Sequence, residues 1–188
     1  MEDMTRTGRR VPTPNAVNPV ERRERPGYHR QTQKHAPRRR LEFMELQISR
    51  VAADDRSDWE QLARAYKAFY KTDITDAELD TAWSRLLRQD GVDGLAARSG
   101  PKIVGITHYL FHTSTWSSTV CYLQDLFVVP SARGQGVARA LIERVAEASR
   151  VQGANRLYWL TQDSNTTARA LYDKLAKFNG FLRYDFPI

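Results

Sequence analysis

The chain has 188 residues, 41% of them hydrophobic, a single cysteine and a formal net charge of +7. That length suits one domain with a single core, no run approaches the roughly 18 to 20 apolar residues of a membrane helix, and nothing near the start resembles the apolar block of a signal peptide. With Cys121 alone no intrachain disulfide forms, in keeping with a reducing, cytoplasmic setting.

The charge is unevenly placed. Residues 1–40 hold 11 Arg or Lys against 4 Asp or Glu, so the whole excess lies there and the rest is neutral, with 18 of each sign. The same stretch carries Pro12, Pro14, Pro19, Pro26 and Pro37 and almost no large aliphatics. Such a segment cannot bury enough apolar surface to offset its ordering entropy. Residues 1–41 therefore read as a disordered Arg/Pro-rich tail, and 42–188 as the folded domain. A nucleic-acid-binding arm, an organelle-targeting segment and a non-functional extension (with Met44 as the true start) are all compatible with it. Its acids, Glu2, Asp3, Glu21 and Glu24, argue against mitochondrial import.

From Leu41, "LEFMELQISRV" alternates as a first strand. Trp59, Leu62, Ala63, Tyr66, Phe69 and Tyr70 then fall on one helical face. "TDAE", Thr75 to Glu78, is a capping box opening a second helix with Leu79, Ala82, Trp83 and Leu86 inward. Two strands follow, near Leu95–Ser99 and Ile103–Phe111, turning at "SGPK". "TVCYLQDLFVV" is the next strand and stops at Pro130, which cannot donate to a ladder. Arg133 to Gln152 reads as a helix, and "GANRLYWLTQ" as a turn and strand. Ser164 or Asn165 caps a last helix with Ala168, Leu171, Tyr172, Leu175 and Phe178 on one side, ended by "NG". "FLRYDFPI" reads as a final strand. The order β-α-α-β-β-β-α-β-α-β predicts a mixed α/β domain.

The residues between the fourth strand and the third helix carry chemistry. A helix start offers unpaired amides and a positive dipole end, and Gly134 and Gly136 remove Cβ atoms that would block approach to them. "ARGQGVAR" is thus a plausible pyrophosphate cradle. It lacks the lysine and hydroxyl residue of a P-loop, and "GQGVAR" lacks the third glycine of a dinucleotide fingerprint. Arg133-Gly134-Gln135-Gly136-Val137-Ala138 instead fits R/Q-x-x-G-x-G/A. Together with the two early helices and the "N-x-x-A-x-x-L-Y" run from Asn165 to Tyr172, it makes the chain resemble the GNAT N-acetyltransferase family from about Phe43 onward.

That resemblance implies a GNAT fold with a splayed mixed sheet, acetyl-CoA as co-substrate and no metal. It implies that the amide of Val128 or a neighbour stabilises the thioester oxyanion. Phe127 and Val128 would pair with the pantetheine arm, Arg133 to Arg139 would hold the pyrophosphate, and Asn165 would bond the cofactor from the opposite side. Tyr172 stands where the family places a tyrosine hydroxyl near the CoA sulfur, although its spacing alone equally suits a core residue. "YLQDLFV" resembles the "YLED" strand of polyamine-type members, with Gln124 in place of the glutamate. An amide cannot accept a proton at neutral pH, which leaves Asp125, Tyr122 or a water chain for the amine. His108 and His112, four apart on one strand, are candidate bases or structural histidines; no third ligand at a recognised spacing makes them a zinc site. "HTSTW" resembles the fungal histone/polyamine/D-amino-acid acetyltransferase branch and its bacterial relatives. Trp116, Trp83 and Trp159 are candidate channel walls or core residues.

The expected function is acetyl transfer from acetyl-CoA to the primary amine of a small acceptor, a polyamine, amino acid or similar, by direct attack in a ternary complex. The alternatives are a protein lysine or histone-tail acetyltransferase, and an idle scaffold whose basic tail binds nucleic acid. A homodimer is expected from the family, with no membrane partner, and nucleic acid enters only through residues 1–40.

Overall fold

The structure, a computed structural model, describes residues 45–188. The expected tail over 1–41 and the domain start at 42 lie outside the described residues. The elements are β1 (Leu46–Arg50), α1 (Arg56–Phe69), α2 (Asp76–Arg88), β2 (Asp93–Ser99), β3 (Lys102–Ser114), β4 (Ser117–Val128), α3 (Val137–Val151), β5 (Leu157–Trp159) and α4 (Thr166–Tyr172). Five strands form one sheet in the order β1-β2-β3-β4-β5. The first four are antiparallel neighbours, and β5 joins β4 in parallel.

Each face of the sheet buries one helical stripe. On one side, Trp59, Leu62 and Ala63 of α1 and Leu79, Trp83 and Leu86 of α2 pack on Ala96, Ile103, Ile106 and Phe127. On the other, Val137, Leu141, Ile142 and Val145 of α3 pack on Leu95, Ala97, Cys121 and Leu123. These are the faces the 3.6-residue periodicity predicts, except that Phe69 is half exposed at the end of α1. Burying one such aliphatic or aromatic side chain stabilises by about 1.5–3 kcal/mol. The Thr75 hydroxyl accepts the Glu78 amide and the Glu78 carboxylate accepts the Thr75 amide, so the predicted capping box opens α2.

Gly105 lets α3 close on β3. A Cβ there would stand 3.0 Å from Val137 Cγ1, 3.2 Å from Leu141 Cδ1 and 3.3 Å from the Phe127 carbonyl oxygen. The start of α3, and with it the glycine loop, is therefore seated on the sheet by contact of a side chain with bare backbone.

Three expectations are corrected. The third helix starts at Val137, not Arg133, because a 3-10 turn at Pro130–Ala132 and left-handed backbone at Gly134 and Gly136 precede it. The last helix ends at Tyr172, six residues before Phe178, which is exposed. The expected final strand over 181–188 has no regular structure, and its apolar residues face outward. A strand needs a ladder partner for its amides, and among the described residues this segment has none.

Candidate active site

The site grows from β4. Its pairing with β5 covers only Cys121 to Leu123, while β4 runs on to Val128. The two strands part, as the resemblance implies, and among the described residues one edge of β4 is open beyond Leu123. Strand alternation decides which groups face that edge. The Val129 amide bonds the Val104 carbonyl at 3.0 Å, so Val129 and Phe127 turn their polar backbone toward β3. Val128 and Leu126 turn theirs away. The Val128 carbonyl accordingly accepts Arg133 Nε at 3.0 Å on the open side. Of the expected pair, then, Val128 with Leu126 presents free-edge backbone, and Phe127 contributes its ring beneath α1, 6.4 Å from Tyr66.

The loop beyond β4 fits a diphosphate. Gly134 and Gly136 have φ of +73° and +87°, a region L-residues with side chains disfavour, and both border open space. Helix α3 makes its first bond from Ala140 to Gly136, leaving the amides of Val137, Ala138 and Arg139 without helical partners. The Gln135 side chain donates to the Ser131 carbonyl at 2.9 Å and braces the loop. Arg133 folds back over the Phe127 ring, at 5.7 Å, while Arg139 reaches toward Glu143. These residues would hold the anionic end of acetyl-CoA, and the open edge of β4 would take its arm.

Across the gap stands α4. Asn165 caps it by accepting the Ala168 amide at 3.4 Å, and its own amide donates to Thr161 Oγ1. Tyr70, just past α1, stands near Asn165 and within charge range of Tyr172. Tyr172 packs edge-on against Trp159 at 5.3 Å and, with Leu171 and Leu175, lies partly buried against the α3-side core. Burial, reinforced by Tyr70, pushes its hydroxyl up to about 12, so it keeps its proton at neutral pH. It is a partly buried packing residue and a candidate proton holder at once.

On the other side of β4, Trp59, Leu86, His108, Leu110, Gln124 and Asp125 line a cleft of about 320 Å³, with Arg85 and Asp90 also on its wall. The register slips between β3 and β4: His108 faces Asp125 but Tyr109 faces Leu123, so Gln124 is an extra residue bulged out of the ladder. The bulge places Gln124 and Asp125 together on this cleft. Asp125 Oδ2 lies 2.9 Å from His108 Nδ1, and the Tyr66 hydroxyl stands near the same carboxylate. Burial works against the charge of Asp125, but the neighbouring His108, with lesser help from Tyr66 and Lys67, outweighs it and holds the carboxyl below its ordinary value. It is an anion at neutral pH. The Trp59 indole N–H donates to His108 Nε2 at 2.9 Å.

The remaining sequence candidates separate. His112 Nε2 lies 3.3 Å from the Tyr158 hydroxyl, and Tyr122 stacks on Tyr158 at 5.0 Å. Trp116 is 93% exposed at the β3–β4 turn, and Trp83 lies buried against Trp59, so neither walls the cleft. The wall tryptophan is Trp59, which the sequence presents only as one apolar position of a helix. Arg85 was equally silent, one of two arginines on α2.

The profile of the acetyltransferase (GNAT) family matches residues 58–178. The D-amino-acid N-acetyltransferase HPA3 of Saccharomyces cerevisiae is 31% identical over 134 residues, covering 69% of this chain and 83% of its own. The thialysine N-epsilon-acetyltransferase of Bos taurus is 30% identical over 119 residues, covering 63% and 70%. Among solved structures, AAC(6')-Iy in complex with the bisubstrate analogue CoA-S-monomethyl-acetylneamine superposes with a TM-score of 0.68 at 19% identity, over 77% of this chain and 98% of its own. The chain belongs to the GNAT acetyltransferase family. It is an acetyl-CoA-dependent N-acetyltransferase that acts on an amine.

Proposed function

We propose that the acceptor is a small primary amine, an amino acid or a polyamine, acetylated by direct attack in a ternary complex. The observation that carries this reading is Asp125: an ionised carboxylate on a cleft of about 320 Å³, on the strand whose opposite edge leads to the glycine loop. A carboxylate so placed attracts an ammonium group. Arg85 lines the same cleft and, among the described residues, makes no ion pair, which favours an acceptor that also carries a carboxylate. The relatives named for a D-amino acid and for thialysine support the same choice.

The chemistry needs a neutral amine, a stabilised oxyanion and a leaving thiolate. Neutralising a lysine-like amine of pKa about 10.4 at pH 7 costs roughly 4.6 kcal/mol. Asp125, held below its ordinary value, is a weak base, so it anchors the ammonium and water carries the proton away. Gln124 orients the amine by hydrogen bonding. The outward amide of Val128 or Leu126 meets the developing oxyanion. Tyr172, still protonated, donates to the sulfur. A cytoplasmic setting is in keeping with the free, buried thiol of Cys121.

The test is thiol release from acetyl-CoA across polyamines, L- and D-amino acids and histone peptides. Turnover with a free amino acid or polyamine is expected. Release with peptides alone would transfer the activity to protein acceptors, and no release with any amine would sink the reading.

A further inference from the structure

We propose that Trp59 and His108 are positioning residues that aim Asp125 at the acceptor's amine. The inference rests on Asp125 as the ammonium anchor. It starts from a valence argument. An indole nitrogen can only donate. Trp59 Nε1 is 2.9 Å from His108 Nε2, so Nε2 is the acceptor and carries no hydrogen. The ring's single hydrogen then sits on Nδ1 and points at Asp125 Oδ2, 2.9 Å away. The network thereby assigns the tautomer.

Both histidine nitrogens are committed. For His108 to take the amine's proton, Nε2 would have to release an indole N–H whose residue is 1% exposed, leaving a buried donor without a partner. His108 is therefore poorly placed as the base and well placed as a strut. Its side chain is 12% exposed and that of Asp125 21%, so the carboxylate is the more open of the pair.

The strut has a firm footing. Trp59 packs on Trp83 at 5.0 Å between ring centroids. The Arg56 guanidinium lies over both rings, at 5.5 and 5.9 Å, and ties to Glu60 at 3.0 Å and Asp80 at 2.6 Å. Helices α1 and α2 thus fix one end of a chain of bonds whose other end is the reacting strand. From α1, the Tyr66 hydroxyl and the Lys67 charge stand close enough to favour the carboxylate anion. Arg85 and Asp90 are the other charged groups on the cleft. The His108 N–H sets the direction of a carboxylate that would otherwise be free to rotate.

The experiment measures acceptor KM, acetyl-CoA KM and kcat in the full chain, with an amine the wild type acetylates. The variants are Asp125→Asn, His108→Leu, His108→Asn and Trp59→Phe. Nitrogen-15 imidazole spectra report the tautomer in the wild type. Asn at 108 can set its amide nitrogen where Nδ1 stands. Expected are a tenfold or greater rise in acceptor KM for Asp125→Asn and His108→Leu, a rise of severalfold for Trp59→Phe, and recovery to within about threefold for His108→Asn. Acetyl-CoA KM should stay within twofold throughout, which a general loss of structure would not allow. If Asp125→Asn raises acceptor KM and His108→Leu does not, the strut is wrong and the anchor stands. If Asp125→Asn itself leaves acceptor KM unchanged, the anchor is wrong. Should His108→Leu fail to fold, the wild-type spectrum decides, since an Nε2–H ring or an imidazolium at pH 7.5 overturns the assignment.

Discussion

Tyr172 is asked to be two things, a packed aromatic and a proton donor, and the same burial serves both. Desolvation disfavours the phenolate, and the Tyr70 hydroxyl nearby adds to it, so the native hydroxyl titrates only at about 12 against an ordinary value near 10. Such a phenol is a weaker acid than a thiol of pKa about 8.5. It acts best by holding a hydrogen bond to sulfur as charge builds there, and less well by surrendering its proton outright. Tyr172→Phe keeps the packing against Trp159 and removes the bond. Turnover should fall at least tenfold, about 1.4 kcal/mol of barrier, with acetyl-CoA KM little changed; unchanged turnover would remove Tyr172 from the mechanism. The stability of the variant has a sign of its own. The native hydroxyl holds its proton where the unfolded one loses it, so stability is full below pH 10 and is lost as pH rises through the native value of about 12. The Phe variant lacks that loss and should be relatively more stable by about 1 kcal/mol at pH 11, as read by urea unfolding at pH 8 and pH 11.

At the scale of elements, β4 works because its two edges have different fates. One edge stays in the β3 ladder to Val128; the other is released after Leu123. Gly105 joins this strand to the loop, since its missing Cβ lets Val137, the first residue of α3, rest on β3. Gly105→Ala should push α3 outward. Overpacking of this kind costs about 1–3 kcal/mol, with Tm falling roughly 2–4 °C for each kcal/mol, and acetyl-CoA KM should rise severalfold while acceptor KM holds. A lower Tm with normal acetyl-CoA KM would show that the loop does not depend on this contact. What the sequence discloses at this scale is local. The "RGQG" loop, the Thr75–Glu78 box and the apolar stripes of α1, α2 and α3 each depend on residues a few positions apart, and each is readable. The Trp59–His108–Asp125 chain joins residues 49 and 17 positions apart. Its assembly depends on strand register, and that register includes a one-residue slip at Gln124 which no spacing rule displays. Asp125 and His108 could each be nominated from their strands; the bonds that join them to each other and to Trp59 could not.

For the whole molecule, the segment after α4 is the unsolved part of the packing. Phe178, Phe181, Leu182, Tyr184 and Phe186 are each at least 70% exposed. Leu182, Tyr184, Phe186 and Ile188 alternate with Phe181, Arg183, Asp185 and Pro187, a period of two that suits a strand with one apolar face. The alternation that predicts a strand is real, but a strand is completed by its neighbour, which a single sequence does not show. Meanwhile β5 closes the sheet with three residues, and among the described residues nothing pairs with its outer edge. An unpaired apolar segment and an unpaired edge in one chain are complementary, and two copies related by a twofold axis would satisfy both at once. We therefore expect a homodimer in which residues 181–188 of each copy pair at the other's β5 edge. Light scattering on the full chain should give twice 21.6 kDa, and a chain shortened at Gly180 should give a monomer. A full chain that is monomeric at micromolar concentration, or a shortened one that still dimerises, would refute the exchange. Because Trp159 on β5 packs against Tyr172, the shortened chain should also lose turnover beyond what its residual folding explains, which separates a partner-supported site from an oligomer with no bearing on chemistry.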